Sequence, residues 1–193
     1  SKLIYEVLLA NKFNVKLVGN IGIPVLSSKN IQKKTIFVIE ASSYQLDYSK
    51  IFQSKYAAIL NISPDHLERH KTLSKYIKAK FKLIKNQPNN SYSFVKKNDP
   101  LIEKTLRLNK FKNKIIKVDV NNFTKFLKKV ENKFFLNETV NENLSFVLKI
   151  SEKLELNKSK LIKTIKKFKG LKYRQQIIFQ NSNLIIINDS KST

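Results

Sequence analysis

The 193-residue chain has no cysteine, only 3 glycines, and 14 acidic residues against 38 lysines and arginines. Without cysteine there are no disulfides and no thiolate metal sites, which suits a reducing compartment and an expected cytoplasmic location. No uninterrupted apolar stretch approaches the roughly 20 residues that span a bilayer, so no membrane partner is expected. The first residues, Ser1-Lys-Leu-Ile-Tyr-Glu6, carry an early acid and no long apolar core, which argues against a signal peptide. A start on Ser rather than Met hints at a processed or incomplete product. Arginine is also scarce: Arg69, Arg107 and Arg174 are the whole set. Arginine is the side chain favoured for bidentate phosphate and base contacts. The formal charge of +24 is therefore read as a solvated lysine surface, the mark of an AT-rich coding sequence, and nucleic acid is not an expected partner. A basic nucleic-acid-binding α/β domain is the competing reading, and clustered charge with steep salt dependence would favour it.

What is present is globular. A hydrophobic content of 41% with 10% aromatics supports a packed core in one domain or at most two. Apolar spacing predicts a helix over 2–12, then a short strand at 15–18 leading into the loop Gly19-Asn-Ile-Gly-Ile-Pro24. Unbroken apolar runs predict buried strands at 35–41 and 56–62, with a polar loop and a short helix between them. Helices follow at 73–85 and near 99–108, alternating with strands at 92–95 and 114–118. Residues 133–136 look like a further strand. Helices at 139–154 and 158–168 come next, the second stopping before Gly170, and strands at 174–180 and 183–188 flank a turn at Gln180-Asn-Ser-Asn183. This alternation implies an α/β domain with a mainly parallel sheet flanked by helices.

The two buried strands stop abruptly on polar groups. One ends in Glu40-Ala-Ser-Ser-Tyr-Gln-Leu-Asp47 and the other in Asn61-Ile-Ser-Pro-Asp-His-Leu-Glu-Arg-His70. In open α/β sheets the carboxyl edge of the strands is where ligands bind, so Glu40, Asp65 and His66 are candidates for one polar site.

These two segments, the loop from Gly19 to Pro24, and Asn188-Asp-Ser-Lys-Ser-Thr193 together resemble the Mur ligase family, most closely its D-glutamate-adding branch. The likeness runs in order along nearly the whole chain. It implies a fragment of the central ATP-binding domain, of phosphate-loop type and truncated at both ends. A Gly-x-x-Gly-Lys-Ser/Thr loop would come just before the first helix, and the uridine-nucleotide domain and C-terminal domain would lie outside residues 1–193. The reaction implied is ATP-dependent amide formation through an acyl phosphate, joining D-glutamate to UDP-N-acetylmuramoyl-L-alanine, with a monomeric enzyme expected. A sister Mur ligase or a folylpolyglutamate-type ligase would share the metal site but not the Gly-Asn-Ile-Gly and Ser-Ser-x-Gln-Leu residues.

Taken on its own chemistry, Glu40 is a strand-end carboxylate suited to Mg²⁺ that bridges ATP phosphates. A strand-end or helix-capping acid is the plainer alternative. The resemblance makes Glu40 and His66 metal ligands and assigns a carbamylated lysine to Lys80 rather than Lys78. That modification, drawn from CO₂, converts a cation into an anionic oxygen ligand, and two Mg²⁺ ions are implied. Spacing alone says nothing about Lys80 among so many lysines. Lys80 and His66 are the expected catalytic residues. Asn20, Ser42, Gln45 and Thr193 match substrate-binding positions, although turn formation also accounts for Asn20. Asn143, Arg174, Asp189 and Lys191 match nucleotide-binding positions. The family's His-Asn-x-x-Asn pattern is here Thr139-Val-Asn-Glu-Asn143, which leaves only Asn143 in register. His70 is expected to be structural or on the surface.

Overall fold

The computed structural model describes residues 1–123, 126, 130–136 and 138–191. Helix α1 (Lys2–Ala10) leads to β1 (Val15–Gly19), β2 (Ile36–Glu40) and the short α2 (Ser43–Tyr48). Strand β3 (Tyr56–Ile59), α3 (Leu67–His70), α4 (Leu73–Lys85), β4 (Tyr92–Lys96), α5 (Pro100–Leu108) and β5 (Lys114–Val118) continue the alternation. Two longer helices, α6 (Glu138–Lys153) and α7 (Lys158–Lys167), precede the hairpin β6 (Gln176–Gln180) and β7 (Ile185–Asn188).

Local chemistry sets most of these boundaries. Thr72 opens α4 by accepting the Lys75 N–H, and Asp99 opens α5 by accepting from Leu101 and Ile102, with Pro100 in the first turn. Asn157 does the same for α7. Asn11 closes α1, its side chain donating to the Val7 carbonyl at 2.8 Å.

Strands β1 to β5 are parallel, as the alternation predicts, but they pair as two separate sheets. β1 pairs with β2, and β3-β4-β5 form a three-stranded sheet. β6 and β7 are antiparallel, with an irregularity between Ile177 and Phe179. The side chains of β4 divide between two layers because they alternate across the sheet. Val95 packs with Tyr76, Phe81, Ile84 and Ile102 of α4 and α5, while Phe94 packs with Val118 and Phe146 of α6. A third cluster joins α1 and β1 to α6 and α7 through Leu3, Val7, Val15, Leu144 and Ile165.

Residues 133–136 form a 3-10 turn, not the expected strand. The aromatic run resembles a strand, yet Asn132 fixes it otherwise. Its amide donates to the carbonyls of Ile165 and Phe168, at 2.7 and 2.9 Å, and its oxygen accepts from the Phe134 N–H. The rings of Phe134 and Phe135 then pack on Phe168. Gly170 permits this arrangement, since a Cβ there would lie 2.4 Å from the Phe134 ring at a backbone φ of +75°.

Candidate functional site

Glu40 ends β2, and the segment with Asp65 and His66 follows β3. Glu40 is the last residue of β2 and stands opposite Gly19 of β1. Its carboxylate accepts from the Ser1 hydroxyl at 2.7 Å, and its carbonyl accepts the Asn20 N–H at 2.9 Å. Only glycine tolerates this approach at position 19, where φ is +100° and a Cβ would fall 2.3 Å from the Glu40 carbonyl oxygen. Asn20 is thereby fixed at the strand edge by its backbone, with its side chain exposed.

Ser42 and Gln45 form a capping box at the start of α2. The Ser42 hydroxyl accepts the Gln45 N–H at 3.2 Å, and the Gln45 side-chain oxygen accepts the Ser42 N–H at 2.9 Å. The box uses both side chains as acceptors. It leaves the serine O–H and the glutamine NH₂ to donate outward.

His66 follows β3 in a left-handed backbone conformation, φ 53° and ψ 33°. Its ring lies between Asp65 and Glu68, with nitrogen–oxygen separations of 3.3 and 3.7 Å. The Tyr44 ring packs on it at 4.9 Å between centroids, and the Tyr44 hydroxyl donates to Glu68 at 3.0 Å. Burial, then the bond to Glu68, raises the Tyr44 phenol above its ordinary range. A backbone hydrogen bond, then Tyr44, lowers Glu68. Tyr44 lies four residues after Glu40, so this contact ties the segment after β2 to the segment after β3.

Lys80 of α4 is half-buried and reaches back to the same edge. Its Nζ is 3.5 Å from the Asn61 carbonyl and 4.7 Å from the Tyr76 ring centroid. Lys78, one helical face away, is exposed. His70 is buried, with Nε2 3.0 Å from the Ser43 hydroxyl, and its role is structural rather than on the surface.

Among the described residues no three His, Cys, Asp or Glu side chains are arranged to hold a metal ion. An ion carried mainly by nucleotide phosphates and water needs only one or two protein oxygens, and the strand-end Glu40 carboxylate fits that mode of Mg²⁺ binding. His66 and Asp65 form a separate donor pair beyond β3, and among the described residues Glu40 does not join them in the three-ligand group that the sequence predicts. An ammonium over the Tyr76 ring, Lys80 offers no ligand atom, whereas its carbamate would.

Three of the nucleotide-side candidates, Arg174, Asp189 and Lys191, flank the hairpin, and the fourth, Asn143, lies on α6. At the base of the hairpin, Asp189 accepts the Gln175 backbone N–H at 3.1 Å and the Gln175 side-chain amide at 2.6 Å. The Lys191 N–H donates to the Tyr173 carbonyl and its Nζ lies 5.7 Å from that ring. Arg174, between Tyr173 and Gln175, is exposed. Asn143 is exposed on α6, whereas the neighbouring Asn141 has a buried side-chain oxygen without a hydrogen-bond partner among the described residues. Thr193 lies outside the described residues.

Sequence reasoning missed the row of rings formed by His66, Tyr44, His70 and Tyr76. Its members come from α2, the α3 region and α4, and no local spacing joins them. It also missed the Ser1–Glu40 bond, for which the sequence carries no signal.

Residues 1–166 match the model of the Mur ligase middle domain. The chain is 32% identical to the UDP-N-acetylmuramoylalanine–D-glutamate ligase of Rickettsia prowazekii, with 99% of this chain and 46% of that protein aligned. It is 38% identical to the ligase of the same name from Buchnera aphidicola subsp. Schizaphis graminum, over 94% of this chain and 44% of the relative. The chain thus spans about half the length of the curated relatives it matches. Among solved structures, MurF from Acinetobacter baumannii has the same fold, with a TM-score of 0.64 at 14% identity over 97% of this chain and 47% of that one.

Proposed function

The chain belongs to the Mur ligase family through its middle domain, and from that premise we propose that it is the ATP-handling part of the ligase that joins D-glutamate to UDP-N-acetylmuramoyl-L-alanine. The observation that carries this reading is the strand edge itself. Glu40, His66 and Lys80 come from three segments: the Tyr44–His66 contact ties the segment after β2 to the one after β3, and Lys80 reaches the Asn61 carbonyl just beyond β3. The specificity for D-glutamate rests on the named relatives together with the Gly19–Pro24 loop and the Ser42–Asp47 segment.

The substrate carboxylate attacks the γ-phosphate of ATP, giving an acyl phosphate and ADP. The amine of D-glutamate then displaces phosphate through a tetrahedral intermediate. A bound Mg²⁺ supplies charge neutralisation on the phosphoryl oxygens. Glu40 and His66 would hold it, with a second ion and a carbamate on Lys80 as the finer form of the proposal. Asn20, Ser42 and Gln45 orient the muramoyl-peptide by outward donation, and Thr193 belongs to the same substrate set. Asn143, Arg174, Asp189 and Lys191 hold the nucleotide. Positioning of this kind supplies much of the acceleration in phosphoryl transfer.

The division of β1-β2 from β3-β4-β5, together with the matched share of the relatives, supports the reading of residues 1–193 as part of a larger central domain whose phosphate loop lies outside them. ADP release by the full-length protein is the test. It should require both UDP-N-acetylmuramoyl-L-alanine and D-glutamate, and the 193-residue chain alone should show none. Release driven by a different amino acid would assign a sister ligase instead.

A further inference from the structure

His70 is a buried imidazole that none of the chemistry above uses. Its ring lies nearly parallel to Tyr44, at 9° and 5.6 Å, and meets Tyr76 at 59° and 5.4 Å. Tyr44 in turn packs on His66 at 4.9 Å, and the Lys80 ammonium sits 4.7 Å from the Tyr76 centroid. The row therefore runs without a break from His66 through Tyr44, His70 and Tyr76 to Lys80. Its middle is almost solvent-free: Ser43 and His70 are each 4% exposed and Tyr76 3%. His70 itself is tied to the Ser43 hydroxyl, with Nε2 at 3.0 Å.

We propose that His70 is a positioning residue, which through its two ring contacts and its bond to Ser43 sets where His66 and Lys80 stand relative to each other. His66 follows β3 and Lys80 lies two turns into α4, with left-handed residues at His66 and Lys71 breaking the chain between them. Backbone continuity therefore does not fix their separation. Packed rings do, because offset and tilted aromatic contacts at these distances favour defined geometries, and close-packed interiors transmit displacement. The inference rests on the proposal that His66 and Lys80 act together in the ligase.

The test uses the full-length protein and reads two signals. One is the imidazole ¹⁵N resonances of His66 in the ligand-free protein, and the other is ligase turnover. In His70→Leu the His66 resonances should move, and kcat should fall by about 10-fold with KM for ATP within about twofold, as expected for misplacement rather than lost binding. His70→Phe, which keeps a ring between the tyrosines, should recover most of both. Ser43→Ala removes the polar tie from the other side and should move the same resonances, which keeps the test open if His70→Leu does not fold. Tyr56→Leu breaks the separate Tyr56–Tyr92 stack and should leave the His66 signal in place. Unmoved His66 resonances in His70→Leu, or a loss equal to that of Tyr56→Leu, would overturn the proposal. Parallel His66→Ala and Lys80→Ala variants separate the two claims. If those retain turnover the ligase-site reading fails, whereas their loss beside an unmoved His66 signal refutes the ring row alone.

Discussion

The strand edge at β2 and β3 and the hairpin of β6 and β7 hold their candidate residues in different ways. At the strand edge, a capping box holds Ser42 and Gln45, and a row of rings backed by the packed face of α4 holds His66 and Lys80. In the hairpin, Ile178, Leu184 and Ile185 are each more than half exposed, and Ile177, Phe179, Ile186 and Ile187 are exposed as well. Asp189, Arg174 and Lys191 depend on a few hydrogen bonds at its base. A two-stranded hairpin with neither face covered is marginal in water. The contrast separates residues whose geometry this chain builds from residues whose geometry it only begins to define.

The largest effect that would sharpen this contrast is on stability. Phe94 is fully buried at the centre of β4, and Phe94→Ala should cost about 3–5 kcal/mol. Ile186→Ala, on the hairpin, should cost under about 0.5 kcal/mol. Urea unfolding of the 193-residue chain checks both, and equal costs would break the comparison. Amide exchange should divide along the same line. Ser93–Val95 amides should exchange only with global unfolding, and those of Ile177–Phe179 should exchange at least about 100-fold faster.

The same contrast marks what the sequence made legible. The bounds of α4 at 73–85 could be read because Thr72 caps it and Tyr76, Ile77, Phe81 and Ile84 recur at helical spacing. Glu40 and His66 were legible as polar stops on apolar strands. Lys80 was not, since one lysine among many has no distinguishing spacing, and only the resemblance selected it over Lys78. The aromatic run at 133–136 misled because its fold is decided by Asn132 bonds to residues more than 30 positions away. Strand pairing is likewise non-local, so a division of the parallel strands into two sheets leaves no mark on local pattern.

A smaller effect concerns pH. The Lys117 ammonium donates to Glu103 at 2.7 Å and, as the leading cause, holds its carboxyl below the usual range. A carboxylate depressed by folding adds stability that is present above its unfolded value, about 4.3, and is lost as pH falls through the lower folded value. The urea-midpoint difference between wild type and Glu103→Gln should therefore be seen at pH 6 and shrink from about pH 4.3 downward. Solvent exposure keeps this the smallest of the effects. A difference that grows on acidification would reverse the assignment.

The central claim is that the strand edge carries the chemistry, and the two lysines of α4 test it most directly. Lys80 faces the Asn61 carbonyl and Lys78 faces solvent, on one helix and two residues apart. In the full-length protein, D-glutamate-dependent ADP release should fall by roughly 100-fold or more in Lys80→Ala and stay within about twofold of wild type in Lys78→Ala. Acetate, supplying a carboxylate oxygen, should restore part of the loss in Lys80→Ala. Equal losses in the two variants, or full turnover in Lys80→Ala, would contradict the account.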